Sequence, residues 1–534
     1  MVGFVTAQKV RHSWINHQEI ALVDVREEGP YSLSHPLFAI SVPVSELQVK
    51  LPALVPRLSA PIVVYDDGEG YAQRAVSRIL AIGYRDVAIL EGGLSAYALV
   101  GEVYRDVNVP SKAFGELVEA IKHTPSMPAG EVDEVLKTEK DVVVLDARRF
   151  SEYHTMSIPH GLSCPGGELV YRIFEAAPSP TTRVFVNCAG RTRSILGTQS
   201  LVNAGVPNKV VAIRNGTIGW LLAGLELEQG KTLRVSEPSQ ESKRRAREHA
   251  IAWSNHVGVS FINFSKLVQL VTESGKRTLH LLDVRTPEEY AARHPPFFES
   301  APGGQLVQAT DEWIGVRGAR VVLYDDDGTR APMTASWLKQ LGWEVYVLEE
   351  SSTIPADLPA PERPLWSVPE FGLVTVDDLP KLADVVVVDL ARSPSYHRGH
   401  IPGAWYASGP ELARDLKTIE RSSATIVLTS PDGTVAAANL ADAQSAVSQE
   451  VVYLAGGTLA WAQTNGALET KCRWLSDPID VYKRPYEGTE NARGDMQGYL
   501  DWEYGLVAQL ANDGVASFHV TDAAKDTVGI DASG

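Results

Sequence analysis

VVVDLARSPSYHRGHIPGA (386–404) decides the fold, because the chain carries variants of it four times. The others are ALVDVREEGPYSLSHP (21–36), VVLDARRFSEYHTMSIPHG (143–161) and HLLDVRTPEEYAARHPP (280–296). Each is a short, apolar, largely β-branched run that stops at an aspartate: Asp24, Asp146, Asp283 and Asp389. Such runs are buried strands, and the Pro, Gly, Ser and His after them are turn-forming material. The aspartates lie 122, 137 and 106 residues apart. These are domain-sized intervals, well beyond the period of a solenoid.

Working outward, every unit has a second apolar run: PIVVYDD, RVFVNCA, RVVLYDD and TIVLTSP. From the first aspartate to the residue just past this run is 42 residues in the first three units (Asp24 to Asp66, Asp146 to Cys188, Asp283 to Asp325) and 41 in the fourth (Asp389 to Ser430). Asp66, Cys188, Asp325 and Ser430 therefore share one structural position, and the second unit alone has a thiol there. A helix-like stretch and a third apolar run follow in each unit, the latter reading VAILEGG, KVVAIRNG, EVYVLEE and EVVYLAGG. Strand, loop, helix, strand is the grammar of a parallel α/β sheet covered on both faces. Three stretches read as linkers: 108–131, the charged, helix-favouring 236–253, and the Pro-rich 351–370. The segment 494–512 reads as an amphipathic helix that docks on a repeat, and the last dozen or so residues read as disordered.

The totals limit the function. The 534 residues have 44% apolar and 22% charged residues, ordinary globular composition with room for several cores. A net charge of -17 argues against nucleic acid and anionic membranes as partners, since both want basic patches. No apolar run reaches membrane-spanning length, and MVGFVTAQKVRHSW lacks a signal-peptide core. Three cysteines cannot build a disulfide framework and fit a reducing compartment, so the expected location is cytoplasmic.

VFVNCAGRTRSILG (184–197) is where the chemistry concentrates. Cys188 falls at the C-terminal tip of a parallel strand, just before a helix, which is the ligand-binding end of an open α/β sheet. Loop N–H groups, the helix N-terminus, Arg191 and Arg193 are all expected to favour an anion and to depress the thiol pKa. Gly190 suits a tight loop, and Ser194 stands where the other units have Ala72, Ala331 and Ala436. The competing reading is a buried structural cysteine. An activated thiolate could attack sulfur, phosphorus or arsenic. Cys-dependent phosphatases place five residues between cysteine and arginine, whereas AGRT leaves four between Cys188 and Arg193, so the smaller cradle suits a sulfane sulfur.

At these residues the chain resembles the rhodanese superfamily: DVR or DAR after the first strand, HIPGAW (400–405), the CAGRTRS loop and GGTLAW (456–461). The resemblance implies an α/β protein of four tandem rhodanese-like domains, each a parallel-rich sheet flanked by helices, at 5–107, 128–230, 258–350 and 371–470, with a helical tail at 471–534. Only the second would be catalytic, and the third looks degenerate. By the same resemblance Cys188 carries sulfur as a persulfide from thiosulfate, or a similar donor such as 3-mercaptopyruvate, to cyanide or another thiophilic acceptor. Ala189, Gly190, Arg191, Thr192, Arg193 and Ser194 would bind the substrate, with both arginines on the donor anion. No cofactor or metal is implied. The partners are a small anionic donor and a thiophilic acceptor, which a protein could supply. A different reading is a partner-binding scaffold in which Cys188 acts as a sulfur relay or redox sensor.

Several positions depart from the pattern. The family's histidine eleven residues past the aspartate is kept as His35, His294 and His400, but the second unit has Ser157 there and His160 nearby. The histidine reads as a structural hydrogen-bonder. Asp146 and Arg148 recur in units without the cysteine (Asp24 and Arg26, Asp283 and Arg285, Asp389 and Arg392), which points to a fold-level role. Cys164, in SCPGGELV, replaces the alanine of SAPGGQLV in the third unit; it is a candidate secondary thiol near Cys188, or else a small buried residue. Cys472 reads as structural. Asp66 and Asp325 should keep anions out of their loops, and YDDGEG, YDDDGT and TSPDGT read as solvated turns.

Overall fold

In the computed structural model, which describes residues 3–349, 358–420 and 423–522, each unit folds as a five-stranded, all-parallel sheet. The linker reading of 351–370 lies outside the described residues for 351–357, as does the disorder expected of the last dozen residues. In the second domain the strands are β1 (Ser126–Met127), β2 (Val142–Asp146), β3 (Gly161–Ser163), β4 (Arg183–Asn187) and β5 (Val210–Ile213), arranged β3-β2-β4-β5-β1. The other three sheets repeat this order. The three apolar runs read from each unit are its second, fourth and fifth strands. The remaining two strands are edge strands of two or three residues, too short to leave a hydrophobic signature.

The recurring aspartates explain themselves in three domains. Arg26, Arg148 and Arg285 each pair with the aspartate two residues earlier and donate to a carbonyl further along: Ser34, Met156 and Arg293. All six members are buried, so each pair staples the end of the strand to the turn that follows. A tyrosine seven residues past the aspartate adds a second staple: the hydroxyls of Tyr31, Tyr153, Tyr290 and Tyr396 donate to the carbonyls of Ala39, Gly161, Phe298 and Ala404. His35, His294 and His400 stack on three of these rings at 3.9–4.0 Å, in keeping with a structural role. In the fourth domain the expected pairing is absent. The arginine is displaced by one residue, and Arg392 instead reaches Glu28 and the Asp480 carbonyl. Without that cation, burial pushes the Asp389 carboxyl up to about 6.

The segment 108–131, expected from its composition to be a linker, is mostly a buried helix. This helix, α1 (Val109–Lys122), sends Lys112 and Glu116 inward. The charged stretch at 236–253 does form a helix, Gln240–Val257, whose Ala246, Ala250 and Trp253 enter a core shared by domains 2 and 3. The domains interlock elsewhere too. Arg330 joins Glu168 to Glu289, Arg57 of domain 1 meets Thr278 of domain 3, and Arg78 of domain 1 reaches Asn439 and Asp442 of domain 4. The tail helix spans Arg493–Asp513 and buries Met496, Tyr499, Leu500, Glu503, Leu506 and Leu510.

Candidate active site

Strand β4 ends at Asn187, whose amide donates to Asp146, and Cys188 is the next residue. Helix α2 (Thr192–Asn203) begins four residues later, so the loop is as short as the sequence suggested. The Cys188 sulfur is 3.3 Å from the Ser194 hydroxyl and accepts from the Ser194 backbone N–H. The sister loops show what this position holds. The equivalent N–H groups of Ala72 and Ala331 donate to the carboxylates of Asp66 (2.9 Å) and Asp325 (2.8 Å), and that of Ala436 donates to the Ser430 hydroxyl (3.3 Å). In domains 1 and 3 an internal carboxylate thus fills the cradle, and the acidic turns are capped from within. No group of three or more His, Cys, Asp and Glu able to hold a metal occurs among the described residues.

The floor of the loop explains the recurring glycines. The Cys188 carbonyl accepts from Thr217 N–H and the Ala189 carbonyl from Ile218 N–H. Gly216 has φ +53°, and a Cβ there would sit 2.2 Å from the Cys188 oxygen. Gly93 and Gly457 approach the Asp66 and Ser430 carbonyls in the same way. Only glycine fits this close approach.

Both arginines are already engaged. Arg191 makes a two-pronged ion pair with Glu116 of α1 (2.7 and 2.8 Å) and also donates to Asn215 and Tyr504, whose ring lies 4.2 Å from the guanidinium. Arg193 pairs the same way with Glu152 (2.7 and 2.8 Å). Burial works against the Glu152 charge, but Arg193, Arg148 and Arg149 hold its pKa at about 2. Each guanidinium is thus paired before any substrate arrives, although Arg193 still draws the Cys188 pKa down.

The tail closes the loop from the other side. Ala189 packs with Ile218, Tyr486, Met496, Tyr499 and Leu500. Tyr499 and Glu503 crowd Gly190, where a Cβ would lie 3.2 Å from the ring and 3.4 Å from the carboxyl. Thr192 reaches Glu503 at 3.5 Å. The Glu503 carboxyl is almost fully buried, accepts from Tyr499 (2.9 Å), and keeps its second oxygen without a partner. Burial and nearby Glu116 push it up to about 8.

These neighbours overturn the expectation of a depressed thiol. Burial raises the Cys188 pKa, Arg193 and Ser194 oppose that only in part, and Glu503 adds to the rise. The cradle is built, but in this closed arrangement it favours the neutral thiol. Sequence reasoning missed Glu116, Glu152, Tyr499, Glu503 and Tyr504, because their approach depends on how separate segments dock. The remaining candidates are quickly placed. Cys164 lies in the shared core with its pKa raised by burial, and Cys472 is half-buried; all three cysteines are free. Ser157 is buried and pairs through its backbone with Glu228, whereas His160 is an exposed turn residue.

A model of the rhodanese-like domain matches residues 8–99, 129–223, 266–353 and 375–464, more than half of the chain, and the chain belongs to that family. A crystal structure of a thiosulfate sulfurtransferase from Pseudomonas aeruginosa is similar over 98% of this chain and 100% of that one, at 48% identity and a TM-score of 0.92. The Alr3790 protein from Anabaena sp. is 27% identical over 20% of this chain and 84% of its own, with a TM-score of 0.18. A comparison with curated proteins finds no match. Among the described residues no helix is long and apolar enough to cross a membrane.

Proposed function

We propose that the protein is a thiosulfate sulfurtransferase working through a persulfide on Cys188 in the second domain. The observation that carries this is the Cys188 loop itself, a strand-end cradle whose sister loops hold carboxylates on the equivalent N–H. The near full-length likeness to the Pseudomonas aeruginosa thiosulfate sulfurtransferase supports the donor.

In the first half-reaction the Cys188 thiolate attacks the outer sulfur of thiosulfate. The S–S bond of the donor breaks, and sulfite leaves with the electron pair. In the second, cyanide or another thiophile attacks the outer sulfur of the persulfide, and the Cys188 thiolate departs, a two-step covalent scheme. Arg193 is the side chain that most favours the thiolate, so it is the natural seat for the donor sulfonate. To take it, Arg193 exchanges Glu152 for the substrate anion. The Ser194 N–H and hydroxyl hold the negative sulfur in both half-reactions. The three free thiols fit work in the cytoplasm.

The test is thiocyanate formation from thiosulfate and cyanide, with intact mass after thiosulfate alone. Wild type should turn over and gain the mass of one sulfur atom, and Cys188→Ser should do neither. A reduced, folded wild type that gains no sulfur from thiosulfate would overturn the reading.

A further inference from the structure

Domains 1, 2, 3 and 4 and the tail together line a half-open chamber of about 790 Å³, a volume within the range of small-molecule sites. Its wall includes Arg193, the one residue of the Cys188 loop that reaches it. Each cation on the wall already has a carboxylate: Lys50 has Glu46, Arg149 has Glu312, Arg193 has Glu152, Arg392 has Glu28 and Arg484 has Glu487. Three carboxyls on the same wall are left over. Glu27, Asp311 and Asp480 come from domain 1, domain 3 and the tail, and none has a cation at ion-pair distance among the described residues.

Their partners are sparse. Glu27 is 7% exposed and accepts from the Ser408 hydroxyl at 3.3 Å. Asp311 accepts from the Asn108 amide at 3.2 Å. Asp480 is 6% exposed; one oxygen accepts from Ser393 N–H at 2.6 Å, and the other has only the loose approach of the Tyr406 hydroxyl. The Gln305 amide nitrogen, also buried on this wall, is unpartnered. Burial, Glu46 and Asp480 push Glu27 up to about 8 against the weaker pull of Arg392, and burial with Glu312 pushes Asp311 up to about 6 against that of Asn108 and Lys112. Buried polar atoms are normally satisfied, so unsatisfied ones that line a cavity call for a ligand. A ligand bearing a cation would supply countercharge and donors to the carboxyls, while an acceptor atom on the same ligand would take the Gln305 N–H.

We propose that this chamber is the acceptor site of the sulfurtransferase, and that it selects a small aminothiol whose ammonium group sits among Glu27, Asp480 and Asp311. The inference rests on the sulfurtransferase reading for the fate of the thiol, and on the chamber alone for recognition of the ammonium. The balance is simple. The aminothiol, as its thiolate, attacks the outer sulfur of the protonated Cys188 persulfide. A new S–S bond forms, the bond to Cys188 breaks, and the product is the aminothiol's persulfide with the Cys188 thiolate restored. The cysteine-lacking domains thereby gain a role, since they build the acceptor compartment around the one catalytic loop.

The test uses the full chain, loaded with thiosulfate and freed of excess donor, then mixed with cysteamine or with 3-mercaptopropionate. The decay of the persulfide is compared per unit of thiolate. Cysteamine should be preferred by about tenfold, the worth of one charge-assisted contact, and Glu27→Gln or Asp480→Asn should erase most of that preference. Equal rates for the two thiols in wild type would overturn the proposal without reference to any variant. If no persulfide loads, the sulfurtransferase reading falls, and calorimetry still judges the chamber. Saturable cysteamine binding to wild type that weakens in Glu27→Gln supports it, and no binding of cysteamine refutes it.

Discussion

Glu503 makes the closure of the active loop depend on pH, and the structure sets the sign and size. Its carboxyl has an ordinary value of 4.5 in water and about 8 when enclosed against Gly190 and Thr192. A raised acid pKa means that the closed contact holds a proton that the open one releases, so closure is favoured in acid and is lost as pH rises from 4.5 toward about 8. At about 1.4 kcal/mol per unit, less near the two pKa values themselves, closure should weaken by roughly 3.5 kcal/mol between about pH 5 and pH 8. Glu503→Gln stays neutral and removes this dependence. The assay is the alkylation rate of Cys188 followed by peptide mass, taken as the ratio of wild type to Glu503→Gln so that the thiol's own titration cancels. That ratio should climb with pH by up to about tenfold per unit and level off near pH 8–9. A flat ratio across this range, with Cys188 reacting in both proteins, would refute the reasoning.

Three further outcomes follow from the same geometry. Asp146→Asn, which leaves Arg148 buried without its partner, should cost about 3–5 kcal/mol in urea unfolding, whereas Asp389→Asn, which strands no cation, should cost less than about a third of that. Alkylation of native protein should label the half-buried Cys472 before Cys188, and Cys164 only after unfolding; early labelling of Cys164 would place it outside the core where it is described. Gly216→Ala forces the Cys188 carbonyl to move and should lower thiocyanate formation roughly a hundredfold while the rest of the fold survives, as circular dichroism would show.

The three interior strands of each sheet were legible because parallel strands buried on both faces leave continuous apolar runs, and the equal spacing from Asp146 to Cys188 and its counterparts placed Cys188 level with Asp66, Asp325 and Ser430. The edge strands were not legible, since two or three residues such as Ser126–Met127 have no period to detect. Within the site, Cys188 and its loop could be read from local chemistry. The state of the thiol could not, because it depends on burial and on Glu503 from the tail, while the arginines beside it are held by Glu152 of the helix Phe150–Thr155 and by Glu116 of α1. The arginines looked like free cations in one dimension and are half of two ion pairs in three. Val109–Lys122 is hidden for a related reason: its Pro and Ser look like linker composition, while its burial comes from the domains on either side.

The contact between Arg191 and Tyr504 joins residues 313 positions apart in the chain. During synthesis the second domain can complete its own sheet before Arg493–Asp513 has been made, so the Cys188 loop waits without that cover until the helix emerges. A product ending before Arg493 would therefore lack the tail's cover over the Cys188 loop. This late-made helix ties the covering of Cys188 to synthesis of the chain through Asp513.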